Sequence, residues 1–121
     1  MKYVLFSLML FLAMCNTNDD DDQVFCTEQY VYGLSVIVKD ANTNNIITEN
    51  ITVIARDGNY QETLMTIEGV DSFFGAGERA GSYFIEVTST NYQPYISAAV
   101  LVAEDVCHVI PENVEIFLQP L

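Results

Sequence analysis

Large apolar residues recur at every second position from Gly81 to Val87, where Tyr83, Ile85 and Val87 share one parity. Successive side chains of a strand point to opposite faces of its sheet, so this alternation predicts a half-buried strand. The period returns along the chain. Leu34, Val36 and Val38 set one face of a strand over 32–39, and Ile51, Val53 and Ala55 set one face of a second. Between them Asp40-Ala41-Asn42-Thr43-Asn44-Asn45 carries the side chains of Asx-type turns. Asp57-Gly58 reads as a hairpin turn into a third strand over 61–67. Ile96, Ala98, Val100 and Val102 alternate in a later strand, Pro111 interrupts the chain, and Val114, Ile116 and Leu118 form the closing strand. The stretch 69–81 holds four of the six glycines together with Phe73-Phe74. It is either a short strand with one of these phenylalanines in the core or a loop that grips a ligand or partner. No stretch sustains a helical period, so the pattern predicts an all-β, seven-stranded antiparallel β-sandwich.

After Val87 comes a corner, Thr88-Ser89-Thr90-Asn91-Tyr92-Gln93-Pro94-Tyr95, in which Asn91 tolerates a left-handed backbone and Pro94 withholds a ladder donor. The succession Gly-x-Tyr-x-Ile-x-Val, a turn, then Tyr-x-x-Tyr resembles the carboxypeptidase regulatory-like domain family. Leu34 to Thr43 is similar to that family's first strand and turn, and the similarity covers roughly Tyr32 to Val102. Asn91 stands where the family usually has a glycine before the corner tyrosine. The resemblance implies a transthyretin/immunoglobulin-like sandwich of the accessory kind, attached to metallocarboxypeptidases and to many bacterial surface proteins. It implies no peptidase activity, because the chain carries no zinc-ligand motif.

Composition narrows the partners. With 4 basic and 17 acidic residues the net charge is −13, which repels nucleic-acid phosphates and anionic headgroups. Lys2, Lys39, Arg56 and Arg79 are too scattered to form a basic patch, so nucleic acid is excluded as a partner. The 121 residues suit one domain, expected over 26–121. Residues 1–14 read as a signal peptide: Lys2 is followed by a nearly unbroken apolar run that is too short for a membrane span. Leu12-Ala13-Met14-Cys15 resembles a bacterial lipobox, with Met14 where a smaller residue is usual. That resemblance makes Cys15 the lipidated (palmitate-bearing) residue. Residues 15–25 would then be a tether, because Asp19 to Asp22 repel one another and bury nothing. Acidic residues at this place resemble the export signal of surface lipoproteins in Bacteroidetes-type bacteria. Together these features imply an outer-membrane, lipid-anchored protein exposed at the cell surface.

In an exported chain Cys26 and Cys107 are expected to form a disulfide. Catalytic alternatives fare poorly. Cys107 and His108, as strand neighbours, would point to opposite faces, and one histidine cannot build a multi-histidine zinc site. The run Asp19–Asp22 lacks the fixed geometry of a calcium loop, and the turn over 40–45 lacks its glycine. Glu104-Asp105 is an adjacent acid pair expected by chance in so acidic a chain. No cofactor, metal or catalytic residue is assigned. Phe73, Phe74, Tyr92 and Tyr95 are the candidate partner-binding residues. The expectation is a non-catalytic structural or interaction module, anchored in the membrane by its lipid, with an unidentified envelope protein or glycan as partner. A ligand-binding module for glycans or peptides is the alternative, with Tyr32, Tyr60, Tyr92 and Tyr95 as its aromatic surface.

Overall fold

A computed structural model describes residues 24–121; the apolar leader, Cys15 and the acidic run over 19–22 lie outside the described residues. Nine strands follow one another: β1 (Tyr32–Asp40), β2 (Ile51–Asp57), β3 (Tyr60–Thr63), β4 (Met65–Ile67), β5 (Val70–Gly77), β6 (Gly81–Ser89), β7 (Tyr95–Ile96), β8 (Val100–Val102) and β9 (Glu112–Leu118). They form two sheets. One has the order β4-β5-β1-β9, and the other runs β3-β2-β6-β7 with β8 also paired to β6. The architecture is that of an all-β sandwich. The described residues contain no helix that is long and apolar enough to cross a membrane.

The core is what the alternation predicts. Leu34, Val36 and Val38 of β1, Val53 and Ala55 of β2, and Tyr83, Ile85 and Val87 of β6 are all essentially inaccessible, as are Ile116 and Leu118 of β9. Burying each large aliphatic side chain contributes about 1.5–3 kcal/mol relative to leaving it in water.

Two expected strands are each broken in two, which is why nine stand where seven are predicted. The first break is at Leu64. Its N–H donates to Val53 O at 2.8 Å and its side chain is buried. Before it, β3 pairs with β2; after it, β4 crosses to the other sheet and pairs with β5. The second break is a bulge. Glu86 pairs with Ile96 and Tyr83 with Val100, so one extra residue lies on the later strand. Ser97 fills the gap: its Oγ accepts the Ile85 N–H at 2.9 Å, and its own N–H donates to Ile85 O at 2.9 Å. The bulge reverses the side-chain parity. Ile96 and Ala98, expected on the face of Val100 and Val102, are exposed, while Val102 is buried.

Two further expectations are corrected. The sandwich is not wholly antiparallel, because β9 runs parallel to β1 over Leu34–Asp40. The chain can close in this way because the intervening strands carry it to the opposite edge of β1. Asn91 is not left-handed; among the described residues the positive-φ residues other than glycine are Asn44, Asn50, Ala76 and Glu78. The corner is held instead by Ser89 Oγ, which accepts the Asn91 N–H at 3.0 Å. Gly58 does open the β2–β3 hairpin, at φ +61, where a two-residue turn favours glycine.

Candidate functional site

The richest polar chemistry gathers at one end of the sandwich, where β5 ends, β6 begins and the chain enters β1. Cys26 and Cys107 are bonded there, with their Cα atoms 5.2 Å apart, across 81 residues of sequence. Cys107 belongs to a hairpin in which Glu104 bridges Val109 and the Asp105 N–H donates to His108 O at 2.9 Å. The Asp105 carboxylate accepts the N–H groups of Cys107 (2.8 Å) and His108 (2.9 Å). Those bonds, His108 first, hold the Asp105 carboxyl below its ordinary range.

By joining Cys26 to Cys107, the disulfide also brings their neighbours together. Thr27 Oγ1 lies 3.0 Å from His108 Nε2, and His108 Nδ1 lies 2.7 Å from Glu78 Oε2. A carboxylate only accepts, so Nδ1 carries a proton, and in the neutral ring Nε2 is left to accept from the Thr27 hydroxyl. Glu78 also accepts the Val31 N–H at 2.9 Å, and its own N–H donates to Val31 O at 2.8 Å. Burial pushes the Glu78 carboxyl upward, but the bonds from Val31 and His108 outweigh it and the net shift is downward. Glu78 makes these contacts from a left-handed backbone, φ 50, a conformation that disfavours side chains and is held here by the surrounding bonds. Gly77 beside it is pressed against the Tyr30 ring, where a Cβ would collide.

Hydroxyl, imidazole and carboxylate stand in the order of an acyl-transfer relay. The rest of such a site is not assembled around them. The nearest pair of backbone donors, Cys107 N–H and His108 N–H, is already spent on Asp105. Four open concavities of the described surface are lined by other residues. The arrangement ties the entering chain, residues 26–31, to the 103–110 hairpin and to the β5–β6 turn.

A second network braces the same end. The Arg79 guanidinium lies 3.6 Å from the centre of the Tyr60 ring, and its Nη1 donates to Asp57 Oδ2 and Tyr83 Oη at 3.0 Å each. The Tyr83 hydroxyl donates back to Arg79 O at 2.7 Å, a tyrosine-to-upstream-backbone bond of the kind that β-sandwiches use at their corners. Tyr60 donates to Glu62 Oε1 at 2.6 Å, and that bond pushes its phenol up to about 12.

The residues nominated from sequence are dispersed. Phe73 is 5 % exposed and belongs to the core, so it has no ring to offer a partner; this removes it from the candidates. The cause is that 70–77 forms β5 and Phe73 faces inward opposite Val36. Phe74, on the other parity, is half-buried and meets Tyr32 with ring centres 5.5 Å apart. Tyr92 and Tyr95 pack against the core from the opposite end of β1, and Tyr92 donates to Asp40 Oδ2 at 2.8 Å beside a concavity of about 380 Å³. Tyr60 lies under Arg79, and Tyr32 meets Tyr30 edge-on at 83°, so these rings do not combine into one flat face. The disulfide is where it was expected. The dyad of Cys107 and His108 is excluded for a different reason than strand geometry: the two residues sit in a turn, and Cys107 is bonded to Cys26.

Sequence reasoning missed Thr27 and Glu78. Thr27 was within reach, because pairing Cys26 with Cys107 places Thr27 beside His108. Glu78 gave no such signal. Among known proteins, no family model matches the chain and no curated protein is significantly similar to it.

Proposed function

We propose that this chain is a surface-anchored, non-catalytic lipoprotein whose transthyretin/immunoglobulin-like sandwich serves as a structural or interaction module of the cell envelope. The observation that carries the proposal is the Cys26–Cys107 bond, which closes the domain at the point where the tether enters it. Disulfides persist in exported proteins, so the bond agrees with the leader-like start of the chain and with Cys15 as the lipidated residue. It also suits a tethered module, because any pull on the N-terminal segment passes to the 103–110 hairpin instead of peeling away residues 26–31. Kinship with the carboxypeptidase regulatory-like domains is part of the proposal. It is supported by the inward parity of Tyr83, Ile85 and Val87 and by the packing of both corner tyrosines, Tyr92 and Tyr95, against the core. The protein surface is strongly acidic, and Lys39, Arg56 and Arg79 are each paired with a carboxylate, which leaves the excess negative charge unopposed. Such a surface favours a cationic or neutral partner.

The test is metabolic labelling with a fatty-acid analogue in cells that produce the wild-type chain or Cys15→Ser. Label on the wild type alone, with the mutant unprocessed and lost from the membrane fraction, is the expected result. Label retained by the mutant would remove Cys15 from the proposal.

A further inference from the structure

The disulfide-bonded end carries an apolar prong that nothing in the fold requires. Phe25 is 85 % exposed and Val106 is 80 % exposed, and Val24 adds a third projecting side chain. Each of the first two is the immediate neighbour of a bonded half-cystine, and the half-cystine Cα atoms lie 5.2 Å apart. Adding one Cα–Cα step on either side keeps Phe25 and Val106 within about 13 Å of one another. Val106 sits inside the Asp105–His108 turn, where polar residues or glycine are usual because they satisfy the turn's own backbone. The turn amides at Cys107 and His108 are satisfied by Asp105, so Val106 makes no contribution to the turn that a polar residue would not. The disulfide and the bonds among Thr27, His108 and Glu78 tie together the two segments that carry Phe25 and Val106.

We infer that this prong docks the domain onto the bilayer that carries the anchor, with Phe25 and Val106 entering the headgroup–acyl boundary. The choice of a lipid surface follows from the proposed acylation of Cys15 and its short distance along the chain from Val24. Only nine residue steps separate Cys15 from Val24, a span of at most about 30 Å when fully extended. The anchored end of the sandwich therefore cannot stray far from the membrane, and it is the end that bears Phe25, the most exposed large apolar side chain among the described residues, together with Val106. The surface entered is zwitterionic rather than anionic, because Asp19–Asp22 and the domain's own acidic excess repel negative headgroups. This inference rests on the lipid-anchor proposal above, and it adds a second contact that fixes the orientation of the sandwich on its membrane.

The chain contains no tryptophan, so a single introduced indole reports without background. The experiment uses the full acylated chain with Val106→Trp, reconstituted in phosphatidylcholine vesicles with or without bromine on the upper acyl carbons. Phe25→Trp serves as a second reporter, and Val70→Trp, at the far end of β5, as the reference. An apolar surface feature lying at the interface sits roughly 5–10 Å into the boundary, so both prong reporters are expected to shift to the blue and lose about half their emission to bromine, while the indole at position 70 does neither. Flotation of the same vesicles reads the anchor separately. Protein that floats with unquenched prong reporters overturns the docking and leaves the anchor standing. Protein that does not float fails the anchor proposal, and the docking falls with it. A blue shift that depends on protein concentration and not on lipid would assign the prong to self-association and overturn the inference.

Discussion

Ile85 and Glu86 are neighbours on β6, yet the two faces of the sheet give them opposite energetic roles. Ile85 is fully buried in the core, opposite Ala55 of β2, so Ile85→Ala is expected to cost about 2–5 kcal/mol, the lost transfer energy plus the cavity. Glu86 faces outward and pairs with Arg56 at 2.8 Å. Exposed pairs contribute little, so Glu86→Ala is expected to stay below about 1 kcal/mol. Denaturant melts of both variants check the contrast, and equal costs would contradict the register of β6. Tyr83 is a third case: its ring is inaccessible while its hydroxyl links Arg79 O and the Arg79 guanidinium. Tyr83→Phe keeps the ring and removes both bonds, leaving Arg79 O without this donor while the guanidinium keeps Asp57, with an expected loss of about 1–3 kcal/mol in the same melts. Acid sensitivity also belongs to single residues. Asp40, Glu78 and Asp105 all titrate below their ordinary values in the folded chain, Asp40 chiefly through the Tyr92 hydroxyl. A carboxyl that is more acidic when folded binds fewer protons than its unfolded counterpart, so its contribution is complete above the unfolded pKa and is lost as pH falls through the folded one. Stability is therefore expected to decline from about pH 4.5 downward. Glu78→Gln is expected to flatten that decline, as read from melting temperatures at pH 6 and pH 3.

At the scale of elements, the bulge between β7 and β8 is the most exposed to test. Ser97→Ala removes the acceptor that satisfies the Ile85 N–H and is expected to cost about 1–2 kcal/mol, against near neutrality for Ala98→Ser one position along. Measured stabilities in the reverse order would mean that the strand runs unbroken with the parity of Ile96. This element also shows what a period-2 pattern conveys and what it hides. Strands without irregularities, β1, β2, β6 and β9, were legible because their apolar residues alternate against a single buried face. At Ile96-Ser97-Ala98 the alternation in the sequence is genuine, but one inserted residue reverses its meaning, and insertion leaves no mark in hydrophobicity. The crossover at Leu64 was hidden likewise: Tyr60, Glu62 and Leu64 keep one inward parity up to the break, and the three residues of β4 beyond it are all exposed, which their own residue types do not announce. The parallel pairing of β9 with β1 depends on which edge is free at closure, a property of the assembled sheet and not of either segment. The candidate site divides along the same line. The Cys26–Cys107 bond and, through it, the meeting of Thr27 with His108 follow from the pairing of two cysteines expected of an exported chain. Glu78 arrives through the β5–β6 turn in a left-handed conformation with no residue type to announce it.

For the molecule as a whole, the organisation is polar: one end of the sandwich is clamped, aromatic-braced and apolar at its tip, while the other carries the open concavity beside Asp40 and Tyr92. The clamp closes a loop of 81 residues, which constrains the unfolded chain by about 4.5 kcal/mol on the chain-entropy account. Replacing both Cys26 and Cys107 by Ser is expected to lower stability by about 2–5 kcal/mol and to leave the strand content unchanged in circular dichroism. A domain of this size has a small core and little stability to spare, so that loss would be felt at growth temperature. The concavity lies at the other end of β1 from the disulfide, and under the proposed anchoring a partner held there would be presented outward from the membrane. The central claim, that an anchored and disulfide-closed module is the working form, is tested most directly by the intact mass of the protein extracted from cell envelopes without reductant. The account predicts a chain that begins at Cys15, carries fatty acyl groups there, and lacks the two hydrogens of a Cys26–Cys107 bond. A chain without acyl mass, beginning elsewhere, or with both thiols free, would contradict it.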